Sequence, residues 1–379
     1  LSGPARGRTD TIRITSVVAG LAVGGCLTWN VSNVGAVADP LASTYGVSLA
    51  AVGLLTTALF VTHLLAQLPA GRAADAYGAQ IVALAAIVAA TTGNGLLLLD
   101  DSYPLAILGR LVVGIGSGAG FVAGLDLVRA GGGGVALQGL YGGATMTGGG
   151  LALMVVPSLT DATSWRAPYW SAALLALASA LPTLLARGLP RVGHAGQWVL
   201  RDRRLLPIGA LQAATFGLAV IAGNWAVPLL ERRDVGALGA GIAGGLILFG
   251  GILTRPAGGL VSGRVPRGRL VALSLAGVTA GAALLAVDDS YALAVCGALL
   301  LGLAAGFPFA VLFAAAQRLR PDAPGAAVAL VNACAVLTIL VGTPLAGLAF
   351  ELPGDGAVAF AVIAAFAALS LVALRRAPV

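Results

Sequence analysis

Few residues of this chain carry chemistry, and the most telling is Arg255, set in the apolar run ILTRPAGGLVSGR. A guanidinium is costly to hold in a low-dielectric setting and seeks an anion through directional, charge-assisted hydrogen bonds. Pro256 beside it loosens local helix hydrogen bonding. His63 lies four residues before Gln67, so the two share one face of a helix. A histidine adds a donor whose ordinary titration lies near neutral pH. Arg255, Gln67 and His63 either cradle a small anion together or serve the structure, Arg255 in a structural pairing and His63 as a packed core histidine. Two further candidates are Arg110, which should face an interior with a polar partner, and Asp75, a carboxylate that can pair with an arginine such as Arg129 or with a helix N-terminus. Paired carboxylates and metal-spaced histidines are missing, since His63 and His194 are the only two histidines. Cys26, Cys296 and Cys334 fall in apolar runs without metal-ligand spacing. Neither an enzyme nor a metal or other cofactor is expected.

The elements that position these residues are written as a repeat. Residues 100–121 (DDSYPLAILGRLVVGIGSGAGF) return at 288–309 (DDSYALAVCGALLLGLAAGFPF), an offset of 188 positions. A doubled membrane-embedded half puts its working site at the seam between halves, near the bilayer midplane. The same offset lands Gln67 on Arg255, Asp75 on Gly263 and Arg110 on Ala298. Gln67 and Arg255 should thus sit at equal depths across the seam.

Composition agrees, with 58% hydrophobic residues, 10% charged residues and a mean hydropathy of +0.96. A bilayer asks for about 20 apolar residues per helix. Turn and charge signals cut the chain into twelve such runs, near 14–38, 49–70, 79–99, 104–126, 135–158, 168–187, 205–230, 238–262, 269–287, 291–315, 325–349 and 356–374. The fold class expected is an all-α integral membrane protein with twelve transmembrane helices in two pseudo-symmetric six-helix bundles. The domains expected are an N-terminal bundle over 1–187, a cytoplasmic inter-bundle loop over 188–204 and a C-terminal bundle over 205–379. The joining stretch RGLPRVGHAGQWVLRDRR, with Trp198 among arginines, suits a tether on the membrane surface. The 55 glycines suit membrane helices, whose backbones approach closely at small residues.

All basic residues are arginine, and their placement sets the orientation. Arg6, Arg13, Arg72, Arg129, Arg204, Arg264, Arg320 and Arg376 are among those on one side. Only Arg166, Arg232 and Arg233 fall on the other, which collects Asp100, Asp101, Asp161, Asp288, Asp289, Glu351 and Asp355. Both termini are expected in the cytoplasm, in a multi-pass inner-membrane protein. This asymmetry and anionic headgroups account for a pI near 10.0, so nucleic acid is not an expected partner. Ala36-Val37-Ala38 after an apolar run mimics a signal-peptide cleavage site. That run is too long for a signal, and its removal would leave eleven spans.

Three features resemble the major facilitator superfamily over essentially the whole chain. The stretch GRAADAYGAQ after the second span is similar to that family's G-x-L-A-D-R-x-G-R-K loop, with Gly71, Asp75 and Gly78 in place and departures at Ala76 and Gln80. Arg110, Gly114, Gly116 and Gly118 are similar to its R-x-x-x-G-x-G signature on the fourth helix. The six-plus-six repeat with a long central connection is the third. The resemblance implies alternating access and a role for Arg110 in gating or proton coupling. Read from the residues alone, Gly71 and Gly78 permit a tight turn, and Asp75 latches the cytoplasmic side, near Asp126 and Arg129. With Gly263 where the second half would need a carboxylate, the N-terminal latch is expected to dominate gating.

Arg255, Pro256, Gly258 and Gly259 are similar to the corresponding helix of the nitrate/nitrite porter branch. That branch also carries an arginine on helix 2, where this chain has Gln67, and a characteristic asparagine on helix 5 that GLYGGATMTGGGLALMVVP lacks. Trp29 with Asn33, Tyr141 with Thr145, Asn224, Trp225 and Asn332 either line the cavity or bond neighbouring helices; Phe307, Phe309 and Phe313 read as packing. No acidic residue lies deep in a predicted helix, which argues against proton-driven efflux of cationic drugs.

The expected function is a secondary active transporter moving a small anion, such as nitrate, nitrite or a compact organic anion, across the cytoplasmic membrane by alternating access. Export of hydrophobic or drug-like compounds is the alternative within transport, and a non-transporting receptor or structural protein the alternative outside it. The expected partners are a small-molecule or ion substrate and the lipid bilayer, with a proton as one coupling ion to consider and the chain acting as a monomer.

Overall fold

In hydrocarbon every backbone N–H and C=O needs an internal partner, and a helix supplies it. The computed structural model describes residues 13–186, 199–287, 290–350, 352–354 and 356–379; Trp198 and His194 lie outside them. Among the described residues twelve helices are long and apolar enough to cross a membrane. They are α1 (Ile14–Tyr45), α2 (Ala51–Tyr77), α3 (Ala79–Leu99), α4 (Tyr103–Ala130), α5 (Val135–Ala162) and α6 (Ala167–Leu185), followed by α7 (Leu205–Arg232), α8 (Gly239–Val261), α9 (Arg267–Val287), α10 (Tyr291–Leu319), α11 (Pro324–Ala349) and α12 (Ala357–Leu374).

The 188-residue offset survives into three dimensions. Ala51, Ala79 and Tyr103, which open α2, α3 and α4, map onto Gly239, Arg267 and Tyr291, which open α8, α9 and α10. Contacts repeat in the same way: α3 on α4 and α9 on α10, α2 on α4 and α8 on α10, α1 on α5 and α7 on α11. Across the seam α2 packs on α11 and α5 on α8. These are one contact with the halves exchanged, as a pseudo-twofold axis demands.

Several helices outrun the expected spans. α2 continues to Tyr77, carried by the strong helix formers Ala73, Ala74 and Ala76. Gly71 and Asp75 are therefore helical, and the expectation that Gly71 shapes a turn is corrected. Gly78 alone makes the turn into α3, at φ 97°, a conformation that favours glycine. α1 runs on to Tyr45 through a 3-10 turn at Gly35–Val37. α4 reaches Ala130, so Asp126 and Arg129 lie one turn apart on it. α7 carries a π-turn at Ala213–Gly217.

Candidate functional site

The end of the molecule where α1 begins and α12 ends is shut across the seam. Asp75, at the end of α2, accepts hydrogen bonds from the backbone N–H of Gly325 at 2.8 Å and of Ala326 at 2.9 Å. These are orphan donors of the first turn of α11, where the helix dipole also favours a negative charge. Of the two partners open to Asp75, the helix N-terminus is the one it takes. Arg129 binds Asp126 instead, Nε to Oδ1 at 2.6 Å. Gly71 explains how the helices come so close: a Cβ there would stand 2.6 Å from the Gly325 carbonyl oxygen. Its counterpart by the offset, Gly259 on α8, is pressed in the same way on Val135 and Ala136 of α5.

One layer deeper come Gln67 and Arg255. Gln67 Oε1 accepts from Asn332 Nδ2 of α11 at 3.0 Å. Arg255 Nη1 donates to the Gly142 carbonyl at 3.1 Å and to Thr145 Oγ1 at 3.2 Å, both on α5. Its guanidinium lies between two rings, 4.2 Å from the Phe309 centroid and 4.7 Å from that of Phe216. Only 3% of Arg255 is exposed, and among the described residues no carboxylate pairs with it. Cation–π contacts soften the desolvation of such a charge without neutralising it.

Above this layer, away from the termini, opens a cavity of about 370 Å³. Thr28, Ser32, Thr56, Thr145 and Asn224 give it hydroxyl and amide groups, and Phe60, Phe121, Met146 and Phe249 give it apolar walls. Its lining comes from both halves and, among the described residues, includes no charged side chain. Arg255 stands just beneath, in a small adjoining void that shares Met146, Val220 and Leu248 with the cavity. Thr145 joins the two, lining the cavity and holding the guanidinium.

The structure distributes the other predicted residues differently. His63 is not brought to Arg255; its Nδ1 lies 3.1 Å from Ser117 Oγ of α4, inside the first half. Arg110 is wholly buried and gives Nε to Leu55 O at 3.2 Å, Nη1 to Asn33 Oδ1 at 3.3 Å and Nη2 to Asn30 O at 2.8 Å. It ties α1, α2 and α4 together. Gly114 lets α4 lie directly on α2 at Leu59. Asn33 donates to Pro168 O and Trp29 to Ser171 Oγ, both on α6, so neither lines the cavity. Tyr141 bonds Phe121 O at 2.6 Å in an aromatic cluster with Phe309 and Phe313. Trp225 turns to Thr343 O and Phe350. Asn224 lines the cavity, whereas Asn332 lies below it with Gln67. Met146, Phe60, Phe121, Phe249, Thr28 and Ser32 went unread as lining; Met146, one of only two methionines, was the one compositional signal.

A sequence model described as the Major Facilitator Superfamily matches residues 19–318. The chain belongs to this superfamily. No curated protein sequence matches it significantly. Among solved structures, the human organic anion transporter MFSD10 (TETRAN) superposes with a TM-score of 0.73 at 17% identity, covering 98% of this chain and 100% of that one. The E. coli fucose:proton symporter FucP gives 0.74 at 14% identity, with the same coverage of 98% and 100%. At such identities these likenesses establish the major facilitator fold. A superfamily member with twelve spanning helices is a secondary transporter of the membrane, binding small-molecule substrates.

Proposed function

We propose that this transporter moves a compact organic monoanion, with Arg255 as its charge anchor. The observation that carries the reading is a guanidinium held at the seam with no carboxylate partner among the described residues, one hydrogen bond from a cavity wall. The aromatic walls favour an anion with an apolar body over nitrate or nitrite. Transport runs by alternating access, with 1–187 and 205–379 rocking as two bodies joined by 188–204, in the conformation closed beside the termini. The arginine-rich end faces the cytoplasm by the positive-inside rule, which places both termini there.

Uptake into proteoliposomes by a panel of organic anions, nitrate, cations and neutral solutes tests this. Arg255→Gln lowers anion uptake about tenfold to a hundredfold, the worth of a charged hydrogen bond. Anion uptake undiminished in this variant overturns the reading, and selective uptake of neutral hydrophobic compounds replaces it with the export reading.

A further inference from the structure

We infer that a cleft in the seam is a lateral entrance through which the apolar chain of an amphipathic anion passes from the bilayer toward the central cavity. This rests on the anion reading above and deepens it by naming a substrate class. The cleft holds about 470 Å³ between α1, α5, α6 and α8. It lies in the spanning band, and its rim residues Leu140 and Leu151 are 42% and 45% exposed, so hydrocarbon covers it. Ile252 lines both this cleft and the central cavity, where α5 packs on α8. Arg255 follows one turn later on α8 and bonds the carbonyl of Gly142, next to Gly143 in the cleft wall. A chain lying in the cleft therefore leads to the guanidinium that would hold its head.

The pseudo-twofold axis gives this cleft a counterpart, and the counterpart is filled. Gly143 and Gly148 in the cleft correspond to Val331 and Val336, which are 0% and 3% exposed. The α1 wall from Gly25 to Trp29 corresponds to Ala213–Gly217, the stretch of α7 wound as a π-turn. There Ala213 and Ala214 are buried, and a Cβ on Gly217 would lie 3.2 Å from the Ala335 carbonyl oxygen on α11. On this seam Gly148 brings α5 to the Gly25 backbone of α1 and a groove stays open on the lipid side of that contact, whereas valines and a π-turn fill the corresponding space on the other. A packing accident shared by both halves would not differ in this way.

The test uses the full chain in proteoliposomes and two permanently charged probes, octanesulfonate and ethanesulfonate. Ala144→Phe on α5 and, separately, Ala22→Phe on α1 fill the cleft; each is expected to abolish octanesulfonate uptake and to spare ethanesulfonate uptake. Equal loss of both, or of neither, in both variants overturns the entrance. Independently of turnover, a variant keeping Trp29 as its only tryptophan should be quenched by phospholipids brominated on the acyl chain. Octanesulfonate should protect it and ethanesulfonate should not; an unquenched or unprotected Trp29 also overturns the inference. Arg255→Gln should lower uptake of both probes, and if it lowers neither, the anion reading fails on its own account.

Discussion

Gln67 and Arg255 occupy the same position in the two halves, and each reaches across the seam to the other half. Gln67 meets Asn332 on α11, and Arg255 meets Thr145 on α5, one position from the counterpart of Asn332. The duplication has kept a polar bridge at both seams and changed its chemistry. One is a neutral amide pair and the other a cation on a hydroxyl and a carbonyl. The amides satisfy one another across their seam, whereas the cation has no carboxylate partner among the described residues.

The amide pair should show strong coupling. Gln67→Leu or Asn332→Leu alone leaves a buried amide without its partner, at a cost of about 1–3 kcal/mol. The double substitution is expected to be less destabilised than either single one. Thermal unfolding of the four proteins in detergent reads the cycle, and additive losses would show that the bond contributes nothing.

Asp75 should govern closure at the end bearing the termini. Asp75→Ala removes both N–H acceptors at the start of α11, worth about 1–2 kcal/mol. The population should shift toward conformations open at that end by roughly tenfold. Spin-label distances across the α2–α11 seam report it, and an unchanged distribution would remove Asp75 from gating.

Gly71 and Gly259 should act alike, because each brings two helices to backbone contact. Gly71→Ala puts a methyl group 2.6 Å from the Gly325 carbonyl oxygen, against backbone that cannot turn aside. Gly259→Ala meets Val135 O and the Ala136 Cα, each at 2.6 Å. Both variants are expected to lose disulfide cross-linking between engineered cysteines at their own seam while remaining folded by circular dichroism.

At the same end, outside the spans, Asp202 receives the Arg204 Nε at 2.8 Å and backbone N–H at 3.1 Å, with Arg320 at 4.0 Å. The hydrogen bonds from Arg204, and the positive charge beside it, hold the Asp202 carboxyl below its ordinary value. A lowered pKa contributes stability that is present above the unfolded value, about 4, and is lost as pH falls through the folded one. Tm of wild type and Asp202→Asn should therefore differ above pH 5 and converge in acid. The exposed setting of Arg204 keeps the difference small, and high salt should shrink it further.

The twelve spans and the doubling were legible because the bilayer imposes length and apolarity, and because α4 and α10 still share letters. What each polar residue faces was not legible. A helix apolar on every side has no polar stripe to fix its rotation, so Trp29, Asn33 and Trp225 could be read as lining the cavity or as bonding neighbouring helices, and they do the second. Gly71 read as a turn for a related reason: sequence marks that a glycine is needed, not whether bending or close approach needs it. Which of its two expected partners Asp75 takes was hidden as well, since a backbone N–H carries no side-chain signature. Phe216, which covers Arg255, sits in the π-turn, whose extra residue no periodicity announces.

Arg110 is anchored within the first half, whereas Arg255 rides on α8 of the second. Under the proposed rocking of one half against the other, Arg255 would carry a positive charge through part of the transmembrane field. Each elementary charge carried across the whole field is worth about 2.3 kcal/mol per 100 mV, and Arg255 would traverse a fraction of it. A monovalent anion seated beside that arginine would cancel the displaced charge. The empty carrier would then feel the voltage and the loaded one would not, making the return step the one that the membrane potential drives or restrains.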